Sequence, residues 1–199
     1  MIILIDNGHG NDTKGKFSPD GRLREYAWAR DVAKRIHALL TADGLDARLI
    51  VTEQNDISLK ERVRRVNAIC QTAGAKNCLL VSVHNNAAGA DGKWHTAKGF
   101  SVFVSKNASA NSKRCAAIFT DEAKALNLLG NRDVPTCKYW TWSWTKSDIY
   151  ILKNTSCPAV LTENLFQDNR EDVEYLLSEQ GKNTLAKLHA DAIKKYISQ

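Results

Sequence analysis

Apolar runs and helical patterns alternate along this chain. The runs are rich in β-branched residues, each is short enough for a buried strand, and they fall at residues 2–5, 47–51, 79–83, 100–104, 149–152 and 159–161. After the first run, apolar residues follow the i, i+3, i+4, i+7 spacing of a helix over residues 23–40, and Gly44 ends it.

Four further helical patterns accompany the later runs. Ser58, with Glu61 three residues on, forms a capping box that opens one helix. The others are predicted over residues 110–128, from about Asn169 onward, and around Leu185 near the end of the chain. Strands that alternate with helices predict an α/β fold, with a twisted, mostly parallel sheet of about six strands and helices on both faces.

Length, composition and charge narrow the class of protein. The chain has 199 residues, 43% of them hydrophobic, which suffices for one buried core, and no linker or repeat divides it. Lys and Arg number 28 against 22 Asp and Glu, giving a net charge of +6. This excess favours anionic partners, but it is scattered, which is more typical of solubility. We therefore expect no nucleic-acid binding.

The start of the chain and its cysteines bear on its cellular setting. No stretch approaches the roughly 20 apolar residues of a membrane span, so we expect no membrane insertion. The first residues lack a basic segment, and Asp6 ends the apolar run too early for a signal peptide. Five cysteines without a C-x-x-C pair predict reduced, packed thiols, although a Cys137–Cys157 bridge remains an alternative.

Residues that could bind a metal or act in catalysis follow the predicted strands. The first strand ends in D-N-G-H-G with His9, the third in S-V-H-N-N with His84, and the last in P-A-V-L-T-E with Glu163. Glu25 begins the first helix directly after the loop that leaves His9. Because ligands of such folds bind at the carboxyl ends of the strands, these four side chains are predicted to meet at one sheet edge.

Two imidazoles and a carboxylate are the ligands of a catalytic zinc site, and a second carboxylate can transfer the proton of a water molecule. His9 alone is equally typical of a turn, and Glu25 alone of a first helical turn. A phosphate loop is disfavoured, because N-G-H-G-N-D-T-K-G lacks the required glycine and lysine spacing. Asp6 either orients His9 or caps the turn. The other histidines are interpreted as structural or surface residues: His37, His95 and His189.

The order and spacing of these residues resemble the zinc-dependent N-acetylmuramoyl-L-alanine amidases of the amidase-3 type. The D-x-G-H-G motif is matched by Asp6, Gly8, His9 and Gly10, and the helix-starting glutamate by Glu25. Further matches are Thr52, Asp56, Leu59, Arg62 and Asn67, then Ser82, Val83, His84 and Asn86, then Gly99 to Val102, and finally Pro158 to Leu161, Glu163, Phe166 and Asn169. Departures from the family pattern fall at Asn7, Asn11, Glu53 and Asn164.

The resemblance implies an enzyme that cleaves the amide between N-acetylmuramic acid and L-alanine in peptidoglycan. It places the Zn²⁺ ligands on His9, Glu25 and His84, and the catalytic carboxylate on Glu163. We expect residues 1–199 to form a single catalytic amidase domain without a separate wall-binding domain, acting as a monomer on peptidoglycan at the cell wall. The chain would be made in the cytoplasm and released like a lysin, or be a trimmed form of an exported enzyme.

Candidate substrate contacts are weaker signals. Asn86 and Arg132 resemble polar residues near the family's substrate, and Trp140 and Trp142 belong to an aromatic loop that could stack on sugars. The same W-x-W alternation also fits a strand with one buried face. Two alternative functions stay open at this point: a zinc peptidase acting on stem peptides, and a non-catalytic module that binds cell wall or nucleic acid.

Overall fold

The computed structural model describes residues 1–130, 140–141 and 144–199. Its strands within these ranges are β1 (Ile2–Asn7), β2 (Asp46–Leu49), β3 (Cys78–Asn86), β4 (Ser101–Ser105), β5 (Trp140–Thr141), β6 (Trp144–Ser147) and β7 (Ala159–Phe166). Its helices are α1 (Glu25–Ala42), α2 (Leu59–Ala73), α3 (Ala110–Ala125), α4 (Tyr150–Asn154), α5 (Arg170–Leu177) and α6 (Glu179–Ile197), and a short 3₁₀ turn covers Ala75–Asn77.

The strands form one mostly parallel sheet in the order β2-β1-β3-β7-β4-β6-β5. β1 pairs in parallel with β2 and β3, β3 with β7, and β4 with β6. The pairs β4–β7 and β5–β6 are antiparallel. The predicted α/β fold class is confirmed, and the described sheet has seven strands where about six were expected.

The apolar run 149–152 was wrongly predicted as a strand and forms helix α4 instead. Ile151 and Leu152 are adjacent in sequence and both buried in the same cluster. Adjacent strand residues point to opposite faces, whereas adjacent helical residues can share one core. The helix ends at Asn154, where the side chains of Asn154 and Thr155 each donate a hydrogen bond to the carbonyl four residues earlier.

Helices cover both faces of the sheet, and each face has its own apolar core. The larger core receives Ile3 and Ile5 of β1 together with residues of α1, α3, α5 and α6. The smaller core receives Leu4 of β1 together with residues of α2 and α4. Because β1 is buried on both faces, its sequence reads as a continuous apolar run instead of an alternating one.

Polar caps fix where the helices begin. Ser58 accepts a hydrogen bond from Glu61 N–H at 3.2 Å, so one half of the predicted capping box is present. The Glu61 carboxylate instead pairs with Arg64 and Arg65. Asn169 caps α5 in the same way, by accepting from Asp172 N–H.

Four cysteines are free, buried thiols: Cys70, Cys78, Cys115 and Cys157. Cys137 lies outside the described residues, and with it the alternative of a bridge to Cys157. Within the described ranges, no helix is both long enough and apolar enough to cross a membrane.

Candidate metal centre

The sheet brings the predicted site residues to the carboxyl ends of three adjacent strands. His84 near the end of β3 and Glu163 on β7 are directly paired across the sheet. His9 follows β1 by two residues, and β1 is the other neighbour of β3. Glu25 is the first residue of α1, and its N–H donates to the Lys16 carbonyl at 3.0 Å, which fixes the helix start beside this edge.

His9, Glu25 and His84 form a compact cluster of possible metal ligands. One Glu25 oxygen, Oε1, lies 3.3 Å from His9 Nε2 and 3.0 Å from His84 Nδ1. One ligand atom from each residue falls within 4.8 Å of the other two. The imidazole rings meet edge to face, with centroids 5.0 Å apart. Among the described residues, this is the one group of three or more His, Cys, Asp or Glu with such geometry.

The donor set fits a tetrahedral metal ion. Ligand atoms about 2.0–2.1 Å from a tetrahedral zinc are about 3.3 Å from one another, close to the two measured separations. Glu25 is fully buried, and its second oxygen, Oε2, has no hydrogen-bond partner among the described residues. A buried carboxylate without a full set of partners is costly, so a cation at this position would stabilise it.

The electrostatics of the cluster favour a charged carboxylate. Burial alone would raise the pKa of Glu25, but hydrogen bonds and charge from His84 and His9 outweigh burial and hold the pKa well below its usual range. Burial likewise opposes charge on His84, yet Glu25 and, more distantly, Glu163 raise the pKa of this imidazole. Glu25 therefore carries the negative charge that a cation needs, and Asn85 N–H donates to the same Oε1 at 3.0 Å.

Gly8 leaves the space that His84 occupies. A Cβ atom built on Gly8 would lie 2.3 Å from His84 Cε1, so any larger residue would displace the imidazole. Gly8 N–H also donates to the Val83 carbonyl at 3.0 Å, which ties the loop to β3. His9 itself adopts a left-handed φ of 60°, a conformation that a non-glycine residue keeps only when its surroundings hold it there.

Arg62 supplies much of that support from beneath the loop. Its guanidinium is buried, pairs with Asp6 at 2.7 Å, and donates further hydrogen bonds to the carbonyls of Asn7, His9 and Ile57 and to the Asp56 carboxylate. The second Asp6 oxygen accepts from Ser82 Oγ at 2.5 Å. Asp6 thus acts on the His9 backbone through Arg62, and neither predicted role, a bond to the imidazole or a turn cap, describes it.

A cleft of about 400 Å³ opens over the cluster. Its lining includes His9, His84, the half-buried Glu163 and Lys16. Apolar side chains complete much of the lining: Ile57, Leu59, Ile149, Ile151 and Leu161. The cleft therefore combines possible metal ligands, a nearby carboxylate and an apolar surface, which is the arrangement of a metal-assisted hydrolase.

The other sequence candidates have mixed placements. Asn86 ends β3, and its amide Nδ2 is buried without a partner among the described residues. Arg132 and Trp142 lie outside those residues, and of Trp140 only its place in β5 is described. Of the remaining histidines, His189 is buried against Phe100 and Phe119 of the larger core, and His95 contacts Asp91 in a loop.

The sequence did not reveal three residues that support or line the site. Arg62 matches a motif position but was given no role, because the sequence does not show that this side chain is buried against Asp6. Asn85 acts through its backbone N–H, which no side-chain pattern reveals. Lys16 is placed by the loop that precedes α1, and loop paths are poorly specified by periodicity.

Comparisons with known proteins bear on this geometry. A model of the amidase-3 family, described as N-acetylmuramoyl-L-alanine amidase, matches residues 3–195. The endolysin of Bacillus phage SPP1 is 28% identical over 202 residues, covering 99% of this chain and 66% of its own length. The amidase LytC of Bacillus subtilis strain 168 is 30% identical over 199 residues, covering 98% of this chain and 35% of its own.

The chain therefore spans about two thirds of one curated relative and about a third of the other. Among solved structures, the amidase Ami1 of Mycobacterium smegmatis matches with a TM-score of 0.82 at 20% identity. That match covers 100% of this chain and 98% of the other, and it shows a shared fold.

Proposed function

This chain belongs to the N-acetylmuramoyl-L-alanine amidase family, and we propose that it is a zinc-dependent hydrolase that cleaves the amide between N-acetylmuramic acid and L-alanine in peptidoglycan. The observation that carries the proposal is that His9 and His84, which cluster with the buried Glu25, line the same cleft as Glu163. The relatives named above are an endolysin and amidases, which supports the same reaction.

His9, Glu25 and His84 would hold the zinc ion. The two neutral imidazoles and one carboxylate are the donor set of catalytic zinc sites, which keep a position open for water or substrate. When bound, zinc lowers the pKa of a coordinated water to about 7 and polarises a carbonyl oxygen. Asn85 N–H and the Arg62 network hold Glu25 and the His9 loop in place.

Glu163 would carry the protons. Its position on β7, directly across from His84, brings its carboxylate to the same cleft as the metal ligands. The carboxylate accepts a proton from the attacking water and then donates it to the amine of L-alanine as the C–N bond breaks. Asn164 ties β7 to β3 beside this position, because its side-chain amide donates to the His84 carbonyl at 3.0 Å.

Substrate contacts form the less constrained part of the proposal. The apolar lining of the cleft suits the methyl groups of the lactyl and alanyl units on either side of the scissile amide. Asn86 would donate to a substrate carbonyl, and Arg132, Trp140 and Trp142 would contact the substrate from the aromatic segment. We further propose that residues 1–199 act as one catalytic domain and as a monomer at the cell wall.

Digestion of purified peptidoglycan tests the proposal. Mass spectrometry should detect whole stem peptides with a free L-alanine amine, together with intact glycan strands. The Glu163→Gln variant keeps the side-chain size and should lose cleavage by at least about 10²-fold while binding zinc normally. Cleavage within the stem peptide would instead identify a peptidase, and full activity of Glu163→Gln would remove the assigned acid and base.

A further inference from the structure

A second concave surface adjoins the catalytic cleft. This groove, of about 450 Å³, runs between the loop that carries Lys14, Lys16 and Phe17 and the β3–β4 loop that carries Lys93, and its floor contains Gln167 and Asp168. We call it the lysine groove. Lys16 lines both the groove and the cleft over the metal cluster, so the two surfaces are continuous.

The groove carries uncompensated positive charge. Lys14, Lys16 and Lys93 form no ion pair in the described part of the chain, and Asp168 is the one acidic residue of the lining. Elsewhere, lysines such as Lys194 pair with carboxylates. Three ammonium groups around one groove favour a ligand that carries carboxylates.

The floor of the groove is buried and held in place by hydrogen bonds. Gln167 and Asp168 are 3% and 5% exposed, and among the described residues Gln167 Oε1 and Asp168 Oδ1 have no hydrogen-bond partner. The other Asp168 oxygen is clamped by the N–H groups of Ala88 and Gly89 at 2.8 and 3.0 Å. Gln167 and Asp168 are therefore held almost entirely within the protein and give the groove a fixed floor beneath the three lysines.

We propose that the lysine groove binds the carboxylate-bearing part of the peptidoglycan stem peptide, with its carboxylates against Lys14, Lys16 and Lys93. This assignment rests on the amidase function proposed above. It favours the peptide over the glycan, because the sugar chain is uncharged once the lactyl carboxylate is in amide linkage, whereas the stem keeps free carboxylates.

The exposed aromatic ring of Phe17 fits the same ligand. Phe17 is 48% exposed at the groove wall and adjoins Lys16. Such a ring can cover the aliphatic part of a diamino-acid side chain while the lysines bind its carboxylate. The volume of the groove is within the roughly 300–1,000 Å³ typical of ligand sites.

Binding of a free stem peptide tests this subsite independently of cleavage. The probe is L-alanyl-γ-D-glutamyl-L-lysine, which has no lactyl amide to cleave, measured by calorimetric titration against the same peptide with amidated carboxylates. The variant is Lys14→Gln with Lys93→Gln, which spares Lys16 beside the cleft. Its matched control is Lys34→Gln with Lys124→Gln, two exposed lysines on α1 and α3 that lie outside the groove.

The groove variant should weaken binding of the free-carboxylate peptide by about two- to 25-fold, since each of the two exposed ion pairs contributes a factor of about 1.4 to 5. Binding of the amidated peptide, and of both peptides to the control variant, should change less than twofold. Equal losses in both variants, or no loss in either, would overturn the proposal. So would lysine-dependent binding of poly(glycerol phosphate) without binding of the peptide.

The two proposals fail separately. Absence of peptidoglycan cleavage by the parental protein would refute the amidase function while the tripeptide still binds through its carboxylates. Normal cleavage, together with tripeptide binding that is unchanged by the Lys14→Gln and Lys93→Gln substitutions, would refute the subsite alone.

Discussion

Replacing Arg62 by Met should destabilise the fold strongly, and the cause should be the charge left on Asp6. Arg62 and Asp6 are 2% and 1% exposed, and their side chains pair at 2.7 Å. Removing the guanidinium leaves a buried carboxylate with Ser82 as its remaining donor and frees the carbonyls of Asn7 and His9. Breaking a buried pair of this kind costs about 3–5 kcal/mol.

That loss is large beside the roughly 5–15 kcal/mol that stabilise a typical domain. Urea unfolding of the metal-free protein should therefore show a clearly lower midpoint for Arg62→Met. The Arg62→Met variant should also bind zinc more weakly than the parent, because the His9 carbonyl loses the hydrogen bond that holds its strained backbone. Arg64→Met on the same helix is the matched control, since the Arg64 side chain is 68% exposed and its unfolding midpoint should not change.

A double-mutant cycle identifies the mechanism. If the uncompensated charge causes the loss, Asp6→Asn together with Arg62→Met should be less destabilising than the sum of the two single changes, by roughly 1–3 kcal/mol. Strict additivity would show that Arg62 acts through packing and carbonyl contacts alone. A parental midpoint for Arg62→Met would refute the network as described.

Two further predictions concern Gly8 and His189. Gly8→Ala should reduce zinc affinity by at least about tenfold, because the new Cβ would lie 2.3 Å from His84 Cε1. The control is Gly21→Ala, whose Cβ would meet no atom within 4 Å and which should lower stability without changing zinc affinity. Equilibrium competition with a chelator measures both affinities. Equal zinc affinities in the two variants would contradict the packing of His84 described above. Burial lowers the pKa of His189 from 6.5 to about 4, so as the pH falls the unfolded chain takes up a proton at this residue before the folded chain does. The free energy of unfolding therefore has its full value with respect to His189 above pH 6.5 and falls by about 3 kcal/mol in total as the pH drops towards 4. Urea unfolding at pH 7 and pH 4.5 should show part of this loss in the parent but less in His189→Gln, and an unchanged pH dependence in the variant would exclude His189 as its source.

Much of the fold could be predicted because its strands are buried on both faces. Residues 2–5 and 79–83 read as continuous apolar runs, and these are β1 and β3. The run 149–152 has the same composition but forms α4, because four apolar residues do not distinguish a short helix from a strand. β6 was not among the predicted apolar runs, since three of its four residues, W-T-K-S, are polar.

The candidate cluster was predictable because its residues follow strand ends in a fold whose strand ends converge. His9, His84 and Glu163 each come directly after or near the end of a buried run. The lysine groove was not predictable, because Lys14 and Lys93 lie in loops that are far apart in sequence and have no periodic pattern. Gln167 likewise reads as an ordinary polar residue after a strand, and only the fold shows it buried.

The buried thiols give the two sides of the sheet separate chemical reporters. Cys70, Cys78 and Cys157 belong to the core under α2 and α4, whereas Cys115 belongs to the core on the opposite face. Burial raises the pKa of Cys78 to about 11 and also raises those of Cys115 and Cys157, so these thiols stay protonated and unreactive while folded. A labelling reagent reaches them only when the surrounding helices separate. The rate of alkylation at each thiol, followed by peptide mass spectrometry, thus times the opening of each helical layer in the unsubstituted protein.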